Sequence, residues 1–361
     1  MTSHVPESPV IGWRSTAGGS VLLAVLLLLL VGVTLMAAAT GAAGIPLSRI
    51  PAALGLWSNT ADAATLARDQ LVLWSVRLPR IAITMMIGAL LAASGAIMQG
   101  LFRNPLADPA LVGVSSGGAL AAAASIVAGD RLLAASQTPL PFELLPIAAF
   151  AGSLLTTWVL HRIATRENRT SIAIFLLGGL AIAALANAGI GLLVFVADDR
   201  QLRDITFWLL GSLGGATWEK VAIVAPFVIA MLIVMPFIAR GLDLLVLGEA
   251  EAFYMGVEVE RLKRLAIILV SAMTGAAVAF AGVIGFVGIV VPHLLRLIIG
   301  PGHRLLLPAS ACAGAILLIG ADTCARTIAA PAEVPIGVLT AIVGAPVFLA
   351  ILLRQRSLVG L

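Results

Sequence analysis

At 361 residues, 60% hydrophobic and only 11% charged, with a mean hydropathy of +1.09, the sequence is too apolar for a soluble domain, where about a quarter of residues are charged. Its composition is that of a polytopic helical membrane protein. The formal net charge of +4 and the pI of about 9.8 fit the basic surplus of inner loops. Without an RNA-binding motif or an aromatic-basic patch, they do not point to nucleic acid.

Residues 1–18 are polar, contain Pro6 and Pro9, and predict a disordered cytoplasmic N-terminus. Residues 20–40 are almost purely apolar. The MAAAT at the end of this run could pass for a signal cleavage site. The run is nevertheless long for a signal core and right for a bilayer crossing, which predicts a retained helix. Residues 42–76, with Pro46, Pro51 and Trp57, read as a mixed loop. Apolar stretches follow near 81–99, 110–128, 144–163, 172–197, 220–238, 265–282, 284–299, 305–321 and 335–353. The expected fold is therefore all-α: about ten transmembrane helices in a single membrane domain over 19–356.

Ten crossings place both termini on one side. A chain that starts inside leaves the larger share of its 22 Lys and Arg residues on inner loops, so both termini are expected in the cytoplasm. Within the spans, GALLAASGA (88–96), GGLAIAALANAG (178–189) and GAAVAFAGVIGFVG (275–288) are strings of small residues, which let helix backbones approach in lipid. Cys312 and Cys324 are about 18 Å apart along a helix, too far for a disulfide, and read as small core residues. His293 and His303 lack metal-ligand spacing.

Four stretches carry possible chemistry. In Arg103-Asn104-Pro105-Leu106-Ala107-Asp108-Pro109, Pro105 and Pro109 stop the helix and fix a reversal. Asn104 and Asp108 can bond freed backbone groups there, and the knot reads as a structural turn at the inner surface. Residues 239–264 are the one long charged stretch between spans. Gly248 and Gly256 divide it into two short helical pieces. An interfacial helix is basic on its polar face, whereas this one is acidic through its middle, which favours docking to a protein.

On the outer side, Arg77, Arg80 and Arg326 stand out. Arg77 and Arg80 share a face at a spacing of three. Headgroup contact explains them blandly. An acidic docking partner is the sharper reading, because arginine pairs bidentately with carboxylates. The PAEVP segment places Glu333 between prolines at the outer surface. No Walker A pattern appears, nor HExxH, GxSxG or paired intramembrane carboxylates, so neither a P-loop ATPase nor a catalytic site is expected.

In order along the chain, RLPR (77–80), SGAIMQGLFRNPLADPALVGVSSGGA (94–119), WLLGSLGG (208–215), LDLLVLGEAEAFYMGV (242–257), GFVGIVVPHLLRL (285–297) and PAEVPIGVLTAIVGAPVFLAILL (331–353) resemble the permeases of binding-protein-dependent ABC importers for iron chelates, haem and vitamin B12. The resemblance implies a homodimer in the bacterial inner membrane, surrounded by lipid, with two ABC ATPase subunits beneath it and a periplasmic ligand-binding protein above. ATP-Mg then belongs to the ATPase subunits, and no cofactor to this chain. It further implies that 242–257 is a pair of short coupling helices, with Leu247, Gly248, Glu249, Ala252, Phe253 and Gly256 meeting the ATPase. Arg77, Arg80 and Arg326 would meet glutamates of the binding protein, and Thr170 and Ser171 would lie at the cytoplasmic gate. The closing RTIAAPAEVPIGVLTA is most similar to haem permeases, so haem is the favoured ligand, with ferric siderophore or cobalamin as alternatives. An ion-driven secondary transporter would want membrane-embedded acids on broken helices, and Asp322 is the nearest candidate. An intramembrane enzyme lacks any nucleophile-base or metal constellation.

Overall fold

The structure, a computed structural model, describes residues 16–41, 44–56, 62–136, 144–330 and 332–359. Its elements run α1 (Thr16–Ala39), α2 (Ile50–Ala53), α3 (Ala63–Val72), α4 (Leu78–Leu101), α5 (Val114–Ser136), α6 (Leu144–Ala164), strands β1 (Thr165–Arg166) and β2 (Arg169–Thr170), α7 (Ile172–Val196), α8 (Asp199–Leu209), α9 (Trp218–Leu245), α10 (Glu249–Tyr254), α11 (Val259–Ala281), α12 (Val287–Ile299), α13 (His303–Ile328) and α14 (Ile336–Val359). Of the expected N-terminal tail, residues 1–15 lie outside the described residues, and α1 begins at Thr16.

Seven helices among the described residues are long and apolar enough to cross a bilayer, and three shorter apolar ones lie at 114–129, 287–299 and 336–350. These fall on the ten apolar stretches of the sequence. The count of ten is approximate as a count of crossings. With 13 residues, α12 is about 20 Å long, short of the roughly 30 Å hydrocarbon core. The chain enters it through a non-helical stretch in which Gly282 and Phe286 have φ of 71° and 68°.

The centre of the bundle is α4. In its apolar window 83% of residues are buried, against 17% in α1 and 11% in α7, so α1 and α7 lie at the periphery of the chain while α4 is enclosed by α1, α9, α11, α12 and α13. Small residues make this possible. Gly88 meets Gly314 of α13 and Gly95 meets Gly288 of α12 so closely that a Cβ on either α4 glycine would overlap the facing carbonyl oxygen. Lipid tails give no hydrophobic drive for helix association, so such backbone approach is what holds helices together there.

Three local features depart from the sequence reading. Residues 63–76, expected as loop, are helical. The α3 helix passes through a π turn at Leu73–Arg77 into α4, making 39 continuous residues. AATLARDQLV contains neither Gly nor Pro, and its good helix formers carry it. Its Asp and Arg hid it from an apolar-run search, and Asp69 is buried 3.2 Å from Arg49. Secondly, Cys324 is exposed and Cys312 half-buried, so Cys324 is not a core residue. Thirdly, β1 and β2 form a hairpin pairing Thr165 with Thr170 and Arg166 with Arg169. Its two loop residues, Glu167 and Asn168, both have positive φ, 51° and 60°, the backbone of a type I′ turn. Two-residue strands carry no periodic signal.

At the foot of α4, Arg103 takes a φ of 49°. The Asn104 Oδ1 accepts from the Leu106 N–H at 3.0 Å and the Asp108 Oδ1 from the Ala110 N–H at 3.1 Å. Pro109 opens a single 3-10 turn, Pro109–Val112, and Gly113 (φ 75°) admits the chain to α5. Side-chain acceptors thus satisfy donors that the broken helix leaves free.

Candidate functional site

The two ends of the bundle are chemically different. At one end lie the head of α4, the end of α13 and the 332–335 loop. Asp322 is the hub. Its Oδ1 lies 2.8 Å from Arg80 Nη2, and its Oδ2 lies 3.1 Å from Arg326 Nε, one turn on along α13. Arg80 also grips Glu333, with Nη1 2.7 Å from Oε1 and Nη2 2.9 Å from Oε2. This bidentate fork is the strong form of the arginine–carboxylate pair. Arg326 further donates to the Thr40 and Ala37 carbonyls, each at 3.4 Å, at the end of α1. Arg77 donates to the Ala38 carbonyl, and its guanidinium and that of Arg326 both border Gly41.

The three arginines expected at the outer surface thus share one end of the bundle but not one environment. Arg77 is buried, and the side chains of Arg80 and Arg326 are only 12% and 11% exposed. Glu333 is 45% exposed and is the accessible member. Arg80's hydrogen bonds hold its carboxyl below its ordinary range, ahead of the opposing effect of burial. A cavity of about 230 Å³ opens beside the pair, bordered by Arg80, Phe207, Ser212, Asp322, Glu333 and Ile336.

At the opposite end, 242–257 forms one short helix rather than two. Leu242 to Leu245 are the last residues of α9, because nothing interrupts the helix before Gly248. Gly248 (φ 135°) and Gly256 (φ 86°) bracket α10, and both conformations suit glycine. Ala252 is buried against the bundle, while Leu247, Phe253, Tyr254 and Met255 are exposed. Asp243 Oδ1 accepts from the His303 N–H and lies 2.7 Å from His303 Nδ1, tying the foot of α9 to the head of α13.

Thr170 is buried, and the hydroxyl of half-buried Ser171 caps α7 by accepting from the Ile174 N–H at 3.4 Å. Next to them, Lys263 is buried with its ammonium between Glu249 and Glu260. In the sequence Lys263 is one of several basic residues in the charged stretch 239–264. Its i,i+3 spacing from Glu260 was the available signal. Among the described residues no three His, Cys, Asp or Glu side chains gather to hold a metal ion.

A family model, the FecCD transport family, matches residues 18–354. The chain belongs to the FecCD transport family. This FecCD-family chain is 45% identical over 291 residues to the hemin transport system permease protein HmuU of Yersinia pestis, covering 78% of this chain and 83% of that one. It is 44% identical over 288 residues to the cobalamin import system permease protein BtuC of Halobacterium salinarum, covering 80% and 74%. Among solved structures, a metal-chelate-type ABC transporter in an inward-facing conformation superposes with a TM-score of 0.80 at 31% identity, covering 93% of this chain and 99% of that one. The FecCD member described here is therefore a multi-pass permease of the metal-chelate, haem and vitamin B12 class of ABC importers. Haem and cobalamin relatives stand at nearly equal identity.

Proposed function

We propose that this permease carries haem from periplasm to cytoplasm as the membrane subunit of an ATP-driven importer. It works as a homodimer with both termini in the cytoplasm. It has no nucleotide site of its own. Two ABC ATPase subunits hydrolyse ATP-Mg against its cytoplasmic face, and a periplasmic binding protein delivers ligand to the other. The observation that carries this reading is the polarity of one bundle: a cluster of three arginines at one end, and at the other an exposed aromatic-bearing helix hinged between Gly248 and Gly256.

The outer arginines are the docking site for carboxylates of the binding protein. Arg80 is already held by Glu333, so an incoming carboxylate exchanges with an internal one. In the coupling segment, exposed Leu247 and Phe253 face the ATPase, buried Ala252 fixes α10 to the bundle, and Glu249 lies toward Lys263. Thr170 and Ser171 stand at the cytoplasmic gate, where α7 begins. The Asn104–Pro105–Pro109 turn is structural. ATP binding closes the ATPase pair, moves α10, and converts the path from outward-facing to inward-facing. Asp322, the acid that an ion-driven transporter would want, is engaged by two guanidiniums in a structural ion pair rather than exposed on a broken helix.

Cobalamin is the second reading, favoured by the 44% identical cobalamin relative; a ferric siderophore is the third. Competition in reconstituted vesicles separates them. Unlabelled haem should abolish uptake of labelled haem, and excess cobalamin or ferric siderophore should not. Uptake of cobalamin in preference to haem would replace the ligand and leave the machine.

A further inference from the structure

Lys263 is unusual in being a lysine almost wholly withdrawn from solvent at the end of a membrane bundle: its side chain is 2% exposed. Lysines are buried only when paired. An ammonium has three protons to donate, and here each has an acceptor. Nζ lies 2.8 Å from Glu249 Oε2, 2.9 Å from Glu260 Oε1 and 3.2 Å from the Thr170 carbonyl.

The three acceptors belong to three different pieces of the chain. Glu249 is the first residue of α10. Glu260 is in the first turn of α11. Thr170 closes the β hairpin and leads through Ser171 into α7. The same knot is tied from the other side, since Glu260 Oε2 accepts from the Thr170 N–H at 3.0 Å. The arms differ in stiffness. Glu260 and Lys263 share one helical turn. The hairpin is fixed by the Thr165–Thr170 hydroxyl contact at 3.0 Å, by the Ser171 N–H to Ala164 carbonyl bond at 3.0 Å and by Arg264 donating to Asn168 at 3.3 Å. The α10 helix is a short separate piece bounded by two positive-φ glycines and seated on the bundle through Ala252. An open cleft of about 720 Å³ lies between hairpin and α10, bordered by Thr170, Glu249, Phe253 and Tyr254.

We infer that Lys263 is a positioning residue that joins α10 to the Thr170 hairpin, so that displacement of α10 is delivered to the entry of α7. A chain of charge-assisted hydrogen bonds with every donor satisfied transmits displacement, because stretching any one of them leaves a buried charge short of a partner. The inference rests on the proposed reading that α10 meets the ATPase.

The test uses the complete importer, with ATPase subunits and ligand-loaded binding protein, in lipid vesicles. The readout is ligand accumulated per ATP hydrolysed. Lys263→Met keeps the length and removes the three donors, and should lower the ratio at least tenfold. Lys263→Arg, which keeps charge and donors, should recover part of it. Glu249→Gln and Glu260→Gln each cut one arm and should give intermediate ratios; they carry the test if the methionine variant does not fold. A wild-type ratio in folded Lys263→Met, or in both glutamine variants, overturns the inference, because a lysine that only stabilises the fold shifts the unfolding temperature and not the ratio. Phe253→Asp separates this from the underlying reading. If the ATPase still co-purifies with that variant, α10 is not the ATPase contact. If co-purification is lost while the Lys263→Met ratio is unchanged, only the connecting role fails.

Discussion

Arg80 and Asp322 are 242 residues apart in the chain, yet Arg80 Nε lies 3.1 Å from both Asp322 oxygens and its Nη2 2.8 Å from one of them. The pair pins the head of the central helix α4 to the end of α13, and Arg326 shares the same carboxylate. Charges this far from solvent are expensive to leave alone.

Asp322→Ala is therefore expected to be the most damaging single change at this end. It takes the shared carboxylate from two largely buried guanidiniums, leaving Arg80 with Glu333 and Arg326 with the Thr40 and Ala37 carbonyls, and loss of one partner of a buried pair costs about 3–5 kcal/mol. Denaturant titration in mixed micelles measures it. Asp322→Asn keeps the volume and some hydrogen bonding and should lie between the alanine variant and the parent. Two variants as stable as the parent would show that the cluster does not hold the fold.

Glu333→Gln should act in the opposite sense on docking. It frees the accessible side of Arg80, and an exposed ion pair is worth about 0.2–1 kcal/mol, so binding-protein affinity should rise about 1.4- to fivefold. Equilibrium binding at fixed salt reads this out. The carboxyl is held below its ordinary range, so the pair's contribution is complete above that range and is lost only as pH falls through the lowered value. Across neutral pH, docking of the parent should not vary through this group. Charge reversal at Arg77, Arg80 and Arg326 together should abolish docking, and continued co-purification of the ATPase shows that the chain is still folded, a needed control because all three side chains are largely buried.

Gly95→Ala should destabilise α4 against α12 by the upper end of the roughly 1–3 kcal/mol typical of overpacking, because the new Cβ meets backbone at Gly288 rather than a side chain that can turn away. Gly32→Ala in α1, with nothing within 4 Å of the added carbon, should be neutral or slightly stabilising, as alanine is the better helix former. Thermal unfolding of the two variants side by side gives the contrast.

Much of this was visible in the sequence. The ten apolar stretches located the apolar helices, because a bilayer demands long runs with few charges. Gly248 and Gly256 marked the limits of α10, because positive φ at a helix end favours glycine. What could not be read was pairing across distance. RLPR and TCARTIAAPAEVP each show charges at a predicted outer boundary, but nothing local says that Asp322 faces Arg80 or that Glu333 closes the fork. The same holds for Lys263. Within VERLKR it looks like one more cytoplasmic lysine, and only the folded hairpin and α10 bury it. The 63–72 helix shows the converse: its charges break the apolar run, and its acid is paired by Arg49 from another segment.

Phe253→Asp and Tyr254→Asp address the inner end. Both aromatics are exposed, so neither change should unfold the chain. Aromatic anchors at an interface cost about 2 kcal/mol or more when removed, near thirtyfold in affinity. Each variant should lose ATPase subunits during purification, and retention at parental levels would move the contact elsewhere.

The most direct test of the whole account is haem accumulation in vesicles that contain this permease, its ATPase subunits and haem-loaded binding protein outside. Haem should accumulate when hydrolysable ATP is enclosed. It should not accumulate when the ATPase carries a disabled Walker lysine, whatever proton or sodium gradient is imposed. Accumulation driven by an ion gradient with the disabled ATPase would contradict it.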